Sequence, residues 1–482
     1  MSKLIPSIFL LIICLRGNSQ VLCNTQIDLT AGGEIFDMTY ITSLNEYLIV
    51  GNFTQINGLP RNKVAFLEAD GTLSANVLPW TINGTVFCCE VVNSNIYLGG
   101  NFTTIGATTR YGLARITFPT SSPNPVFTLN AWTPFTTAKT VHDMTLNGTT
   151  IVAVGDFSSI NNNAGTAYPC NNIVGFTPGG SITPFFTSGA LVHSGDDINR
   201  LHVERVSTGY LVSGTELNWN GATVGAILFD FSGNFLQNIA YSDGLQNTVS
   251  RDISVVSDSL VTIERFYTSV GISAYSFNPQ NGTTTTIPVT GNTCYVGTAP
   301  QGTGVESYQG DLLFFDDNAN ATSGTLTRGT YSFAGGYVQR NCQPITMTGA
   351  DFNPNKTQHL KVVRNKMILS MPTMTNVNGQ AHNRAAFFCL EPENAKPFTV
   401  FDTTICSGNE RTYTVPASLY AEGYRWVYSG TGITYTTATQ LTPQVFNGSV
   451  KLHGITGNSI TFQFGANATS GVLTVEPYSL CN

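Results

Sequence analysis

The chain has 482 residues, rich in Gly (47), Phe (29) and Tyr (19), with only 11% Asp, Glu, Lys and Arg and a formal net charge of −7. That length exceeds one ordinary domain, and the scarcity of charge argues against long exposed helices, which rely on Glu and Lys. An acidic balance with no basic run excludes a nucleic-acid partner or an anionic lipid surface.

Residues 1–19 read as a secretory signal. Lys3 gives the positive end, Leu4 to Leu15 the apolar stretch, and Gly17-Asn18-Ser19 the small residues before Gln20. The apolar run is too short to span a bilayer, so no membrane insertion is expected. Export permits disulfides. Of the ten cysteines, Cys406 and Cys481 bracket the C-terminal region and form the expected pair. Cys88 and Cys89 are adjacent, so only one is expected to face the core of a strand's sheet.

A repeated unit follows. The first copy runs Glu34-Ile-Phe-Asp37-Met, Tyr47-Leu-Ile-Val-Gly51-Asn-Phe53-Thr-Gln-Ile56-Asn-Gly58 and Arg61-Asn-Lys-Val-Ala-Phe-Leu-Glu-Ala-Asp70-Gly71. The second keeps Tyr97-Leu-Gly-Gly100-Asn-Phe102-Thr-Thr-Ile105-Gly106, and the third Ala153-Val-Gly155-Asp-Phe157-Ser-Ser-Ile160. The fourth has Trp219-Asn-Gly221 and Ala226-Ile-Leu-Phe; later copies are more worn. A polar residue opens each copy at Asp37, Glu90, Asp143, Asp197, Asp252, Glu306 and His359, in steps of 53, 53, 54, 55, 54 and 53 residues.

Each copy holds three apolar strands between Gly/Asn turns and a short fourth, for example Ser74 to Leu78, Val126 to Leu129 and Ile182 to Phe186. Four antiparallel strands per unit make one propeller blade, and blades must stack into a closed ring to bury both faces. The expected fold class is therefore all-β: a seven-bladed β-propeller over 20–398, with Ile27 to Thr30 completing the last blade. The remainder, 399–482, shows six alternating strands, with Trp426 in the core, and suits a small β-sandwich.

The phrases Gly-Asn-Phe-Thr-x-Ile-Asn-Gly, Arg-Asn-Lys-Val-Ala-Phe-Leu and Ala-Asp-Gly resemble the bacterial delta-60 propeller repeat. The tail, with Cys406-Ser-Gly, Gly423-Tyr-Arg-Trp426-Val-Tyr-Ser-Gly-Thr-Gly432 and Ala468-Thr-Ser-Gly-Val-Leu-Thr-Val475, is similar to the PKD-like, immunoglobulin-fold domains of Bacteroidota surface proteins. Together the resemblances imply an exported protein of the cell surface, of the kind carried by type IX secretion. Such passengers end in a sorting domain and this sequence ends at Cys481-Asn482. A fragment, a periplasmic protein or one riding on a partner is therefore expected.

The seven openers are the leading candidate site. Aimed into an axial channel, Asp37, Glu90, Asp143, Asp197, Asp252 and Glu306 would hold a hard cation such as calcium, with His359 as the seventh member. The structural reading, in which each carboxylate accepts backbone N–H bonds, is the expected one. Trp80, Trp132, Tyr241 and Trp219 are candidate sugar platforms but recur with the repeat, which favours packing. Arg61, Arg110 and Arg384 recur before the third strand and are expected to be structural. His142 beside Asp143 and His202 near Glu204 are the nearest to acid–base pairs. With no HExxH, GxSxG or phosphate-cradling loop, binding or adhesion to a protein or glycan is expected rather than catalysis. The alternatives are a polysaccharide-acting hydrolase or lyase, and an accessory subunit of a secretion or gliding-motility assembly.

Overall fold

A computed structural model describes residues 27–390 and 410–479 apart from loop segments, the longer being 184–190, 193–199, 240–248, 288–300 and 349–358. The short strands Ile12–Cys14 and Val21–Leu22 are also described. Across 249–348 the description is chiefly of the backbone. Apart from a 3₁₀ turn at Ile455–Asn458, every described element is a strand. No helix among the described residues is long and apolar enough to cross a membrane.

The chain divides into two compact units. The larger spans Thr25–Val363 and Met367–Phe387. Its innermost strands are Ile35–Ile41, Val86–Val92, Thr140–Asn147, His202–Val206, Val249–Ser257, Gln301–Tyr308 and His359–Val363. Each touches the next in chain order, and His359–Val363 returns to Ile35–Ile41. Each innermost strand pairs antiparallel with the strand that follows it in its own sheet. This closed cycle of radial, antiparallel sheets is a β-propeller.

The repeated phrase has a steric explanation. In the first three copies a bulge sits at the start of the innermost strand, at Phe36, Phe87 and His142. It drives a backbone carbonyl toward the neighbouring strand. A Cβ on Gly51 would lie 2.0 Å from the Glu34 oxygen, on Gly100 2.1 Å from that of Thr85, and on Gly155 2.2 Å from that of Thr140. Glycine is therefore obligatory at that point. Two residues on, Phe53, Phe102 and Phe157 are buried, as are Ile56, Ile105 and Ile160. Asn57-Gly58 turns the hairpin Gln55–Ile56 to Leu59–Pro60 with both φ angles positive (52° and 75°), the tight hairpin geometry for which Asn-Gly is best suited.

Four expectations need correction. Cys88 and Cys89 do face opposite ways, but both are buried, because each sheet is covered on both faces by its neighbours. The first sheet has three strands, and Ser74 to Leu78 is not a strand. An isolated bridge, Leu67–Leu73, precedes that segment, and the buried Glu46 carboxylate takes up Ser74 and Asn76. Ile27 to Thr30 does not form the outer strand of the last sheet; Asp28 makes an isolated bridge to Arg384. The segment does reach the end of the chain's ring: Leu29 N–H donates to Asn383 O, and Asp28 Oδ1 accepts from Asn383 N–H. Finally, Arg384 does not share the slot of Arg61 and Arg110. His382 does, by its backbone bond to Thr375, matching those of Arg61 to Thr54 and Arg110 to Thr103. Arg384 holds the slot of Lys63 and Gly112, all three with positive φ. Arg61 and Arg110 cap main-chain carbonyls of Ser74 and Asn130, a structural role.

The smaller unit comprises Met1–Asn24, Arg364–Lys366 and Phe388–Asn482. One sheet is ordered Ile12–Cys14, Leu473–Tyr478, Gly423–Tyr428, Ser449–His453, Gln444–Phe446; a second is Glu410–Thr414, Ser459–Phe464, Ile433–Thr436. Tyr424, Trp426, Leu452, Leu473 and Val475 of the first share one core with Tyr413, Ile460, Phe462 and Phe464 of the second. Trp426 is 1% exposed, and its indole N–H donates to Gly457 O. Cys406 and Cys481 lie outside the described residues. Cys389 is disulfide-bonded, whereas Cys88, Cys89 and Cys170 are free and buried.

Candidate functional site

The openers do not form one level. Asp37 lies opposite Val50, and the positions in the same register are Cys88 opposite Gly99, Asp143 opposite Val154 and His202 opposite Ser213. Each of those partners directly precedes the conserved-in-repeat glycine slot at 51, 100, 155 and 214. Glu90 sits two residues deeper, level with Glu204. The even spacing of the openers hid this stagger, because the residues in equal register, Asp37, Cys88, Asp143 and His202, are 51, 55 and 59 apart. Asp197 lies outside the described residues, and the innermost strand of its unit begins at His202. Asp252 occupies the bulged start of Val249–Ser257, opposite Glu264.

Asp37 and Asp143 do the same job. Asp37 Oδ1 accepts from Met38 N–H (2.7 Å) and Oδ2 from Cys89 N–H of the next sheet (2.8 Å). Asp143 Oδ1 accepts from Met144 N–H (2.8 Å) and Oδ2 from Val203 N–H of the next sheet (2.9 Å). The expected backbone role is thus present, but it joins neighbouring sheets rather than closing an entry turn.

Lys361, which sequence reasoning missed, stands at the centre. Its ammonium lies 3.3 Å from Glu306 Oε1 and feels Asp37, Glu90, Asp143 and Glu204 as well. Those carboxylates belong to five other innermost strands, and only the axis of the ring is near them all. The signal was available: Lys361 is the one basic residue two positions after an opener. Glu306 foremost raises the lysine well above its ordinary pKa. Side chains keep some water contact (Lys361 33%, Asp143 26%, Glu306 12% exposed), so water reaches the axis.

Desolvation dominates the carboxylates. Burial, reinforced by the charge of Asp37, pushes Glu90 up to about 8; burial likewise pushes Asp143 and Glu204 up to about 7 and raises Asp37. Burial, then Arg200, His142 and Lys361, push His202 down to about 3, so it is neutral 3.8 Å from Asp143 Oδ2. At the bulge level the Arg200 guanidinium lies 4.6 Å from the ring centres of both Phe36 and Phe87, and His359 meets Phe36 edge-on. Among the described residues, no three of His, Cys, Asp and Glu come close enough to hold a metal ion. Neither sequence-level His pair survives as read: His142 bonds to Asp156, and His202 lies by Asp143.

A carboxyl raised on folding favours the fold at low pH and loses that contribution as pH rises from its unfolded value through its folded one. Glu90→Gln should therefore raise the thermal midpoint at pH 9 and leave it nearly unchanged near pH 4, as measured by calorimetry. Equal shifts at both pH values would contradict the placement of Glu90.

The aromatic candidates are packed. Trp132 donates its indole N–H to Asn161 O, and Trp219 fills the Ile56 slot against Phe235. Trp80 packs against the core between the first two sheets, and Tyr241 lies outside the described residues.

Fold and axis together define a β-propeller with a polar, water-reached centre. A β-propeller family of unknown function, DUF5122, matches residues 45–73, within the first copy of the repeat. No curated protein sequence matches. Among solved structures, the extracellular domain of a hybrid two component system from B. thetaiotaomicron is similar at 12% identity and TM-score 0.42, over 75% of this chain and 39% of that one. This chain thus spans well under half of that protein. BamB from Moraxella catarrhalis is similar at 10% identity and TM-score 0.41 (78% of this chain, 99% of that), and the WD40 β-propeller domain of Doa1 at 11% and 0.40 (78% and 98%).

Proposed function

We propose that the chain is an exported binding scaffold: a seven-bladed propeller that presents its loops to a protein or glycan, followed by an immunoglobulin-like domain acting as spacer. The observation that carries this reading is the double use of Asp37 and Asp143. Each commits both carboxylate oxygens to main-chain N–H groups of two sheets, so the most regular polar residues of the axis hold the ring together. A rigid ring leaves recognition to the loops. The disulfide at Cys389 suits an oxidising compartment outside the cytoplasm. A cell-surface site reached by type IX secretion, or attachment to an envelope assembly, fits the same reading.

A second reading, a polysaccharide-acting enzyme, draws on Glu90 and Glu204, carboxyls at the axis that burial keeps largely protonated up to about neutral pH. Such carboxyls are suited to general-acid work. Two assays separate the readings. The full chain is applied to a glycan array and to envelope extracts of its own host, and polysaccharides are incubated with wild type, Glu90→Gln and Glu204→Gln. Saturable binding that both variants retain supports the scaffold. Polysaccharide cleavage that either variant abolishes overturns it.

A further inference from the structure

The third copy of the repeat departs from the first two at two positions that touch each other. Where the first copies carry Phe36 and Phe87 at the bulge, the third has His142; where they carry Asn52 and Asn101 after the glycine, it has Asp156. The two residues meet: His142 Nε2 lies 3.1 Å from Asp156 Oδ2, with the imidazole 5% and the carboxylate 52% exposed. The other ring nitrogen faces the next sheet, where Leu201 N–H points at Nδ1 over 3.2 Å. Leu201 is the counterpart of His142 one unit on, and of Phe87 two units on.

These contacts fix the tautomer. Nδ1 must carry its lone pair to accept from Leu201 N–H, so the proton sits on Nε2 and is donated to Asp156. Both nitrogens are spent, which rules out general-base catalysis. What the pair can do is change state. A second proton has only Nδ1 to bind, and there it meets the Leu201 N–H head on, donor against donor. Asp156 favours that proton by ion pairing, while the Leu201 bond opposes it.

We propose that His142 and Asp156 form a proton-operated latch between the third and fourth sheets, closed when the imidazole is neutral and released when it becomes imidazolium. Charged and titratable groups stand on the elements packed against the imidazole. Asp156 lies on its partner strand and Asp143 follows it on its own strand. Arg200, His202 and Glu204 lie on the next sheet, and Cys88 and Glu90 on the preceding one. His202 is held neutral by burial and its cationic neighbours, whereas Asp143, pushed up to about 7 by burial, takes up a proton in the same range, and His142→Phe separates its effect from that of the imidazole. Release also disturbs the adjoining Asp143–Val203 bond, so acid would loosen one defined seam of the ring and leave the others closed.

The test is hydrogen exchange by mass spectrometry on the full chain, with rates corrected for intrinsic pH dependence. It reads the backbone around Leu201 and, as an internal control, around Phe87, where Phe36 offers nothing to titrate. Protection at Leu201 is expected to fall on the order of tenfold between pH 8 and pH 5, the worth of one lost buried hydrogen bond, with none at Phe87. His142→Phe, which installs the residue of the first two copies, should abolish the pH dependence. Asp156→Asn, which installs their asparagine, should move the fall to lower pH. A flat profile at Leu201 in the wild type, the same fall in His142→Phe, or an unmoved midpoint in Asp156→Asn would each overturn the latch.

Discussion

Replacing Gly100 with alanine is expected to destabilise the ring by about 3 kcal/mol or more, an effect at the upper end for a single methyl group. The added carbon would sit 2.1 Å from the Thr85 carbonyl oxygen and 3.0 Å from the Val86 Cα. Both are main-chain atoms, the Thr85 oxygen held by Asn101 N–H and Val86 in a paired strand, so neither can swing aside as a flexible side chain would. The φ at Gly100 is not positive, so the penalty is purely steric. Gly58 makes the contrast: its φ is +75°, but an added Cβ would meet nothing within 4 Å. Gly58→Ala should therefore cost only about 1 kcal/mol, the ordinary cost of forcing a side chain into the left-handed region. Urea titration of both variants checks the pair, and a Gly100→Ala midpoint no lower than that of Gly58→Ala would refute the bulge explanation.

Lys361→Met is the second large effect. Breaking a buried ion pair by removing one partner costs about 3–5 kcal/mol, and partial water access at Lys361 lowers this to about 2–4 kcal/mol. The loss should depend on pH with a definite sign. Above pH 8 Glu90, Asp143 and Glu204 are all ionised, and without the ammonium they repel one another and Glu306. Near pH 5 those three hold protons and the lysine has less to neutralise. The wild type itself should grow less stable as pH rises through about 7 to 8, and Lys361→Met should steepen that decline. Denaturant midpoints from pH 5 to pH 9 measure both slopes. A variant penalty that is constant across the range would mean that Lys361 does not sit among those carboxylates.

The fold was legible in the sequence because the repeat carries its own steric logic. A glycine that must yield to a carbonyl and a phenylalanine two residues later cannot be shuffled without losing the sheet, so they mark the first three copies. Strand content in the C-terminal unit was legible from alternation alone: Tyr424, Trp426 and the residues between them lie where that pattern put them. The axis was only half legible. Counting from opener to opener treats all residues as equal, whereas register counts only those inside paired strands. Asp37 and Glu90 are 53 apart in the chain yet lie two residues apart in depth. Lys361 escaped notice because it breaks the pattern, and a search for recurring residues passes over the one that differs. The misjudged Cys88 and Cys89 came from assuming a sheet with one wet face, which a radial sheet between two neighbours lacks.

The bond from Leu29 N–H to Asn383 O and the grip of Asp28 on Asn383 N–H join residues 354 and 355 apart in the chain. A polypeptide threaded outward from its beginning would present residues 28 and 29 long before their partners arrive. The ring cannot close until Asn383 is in place beside residues 28 and 29. Contacts so distant in sequence make for slow folding. A chain cut short anywhere before Asn383 would be left with an unfinished circle and two sticky rims, a form prone to pair with its own kind.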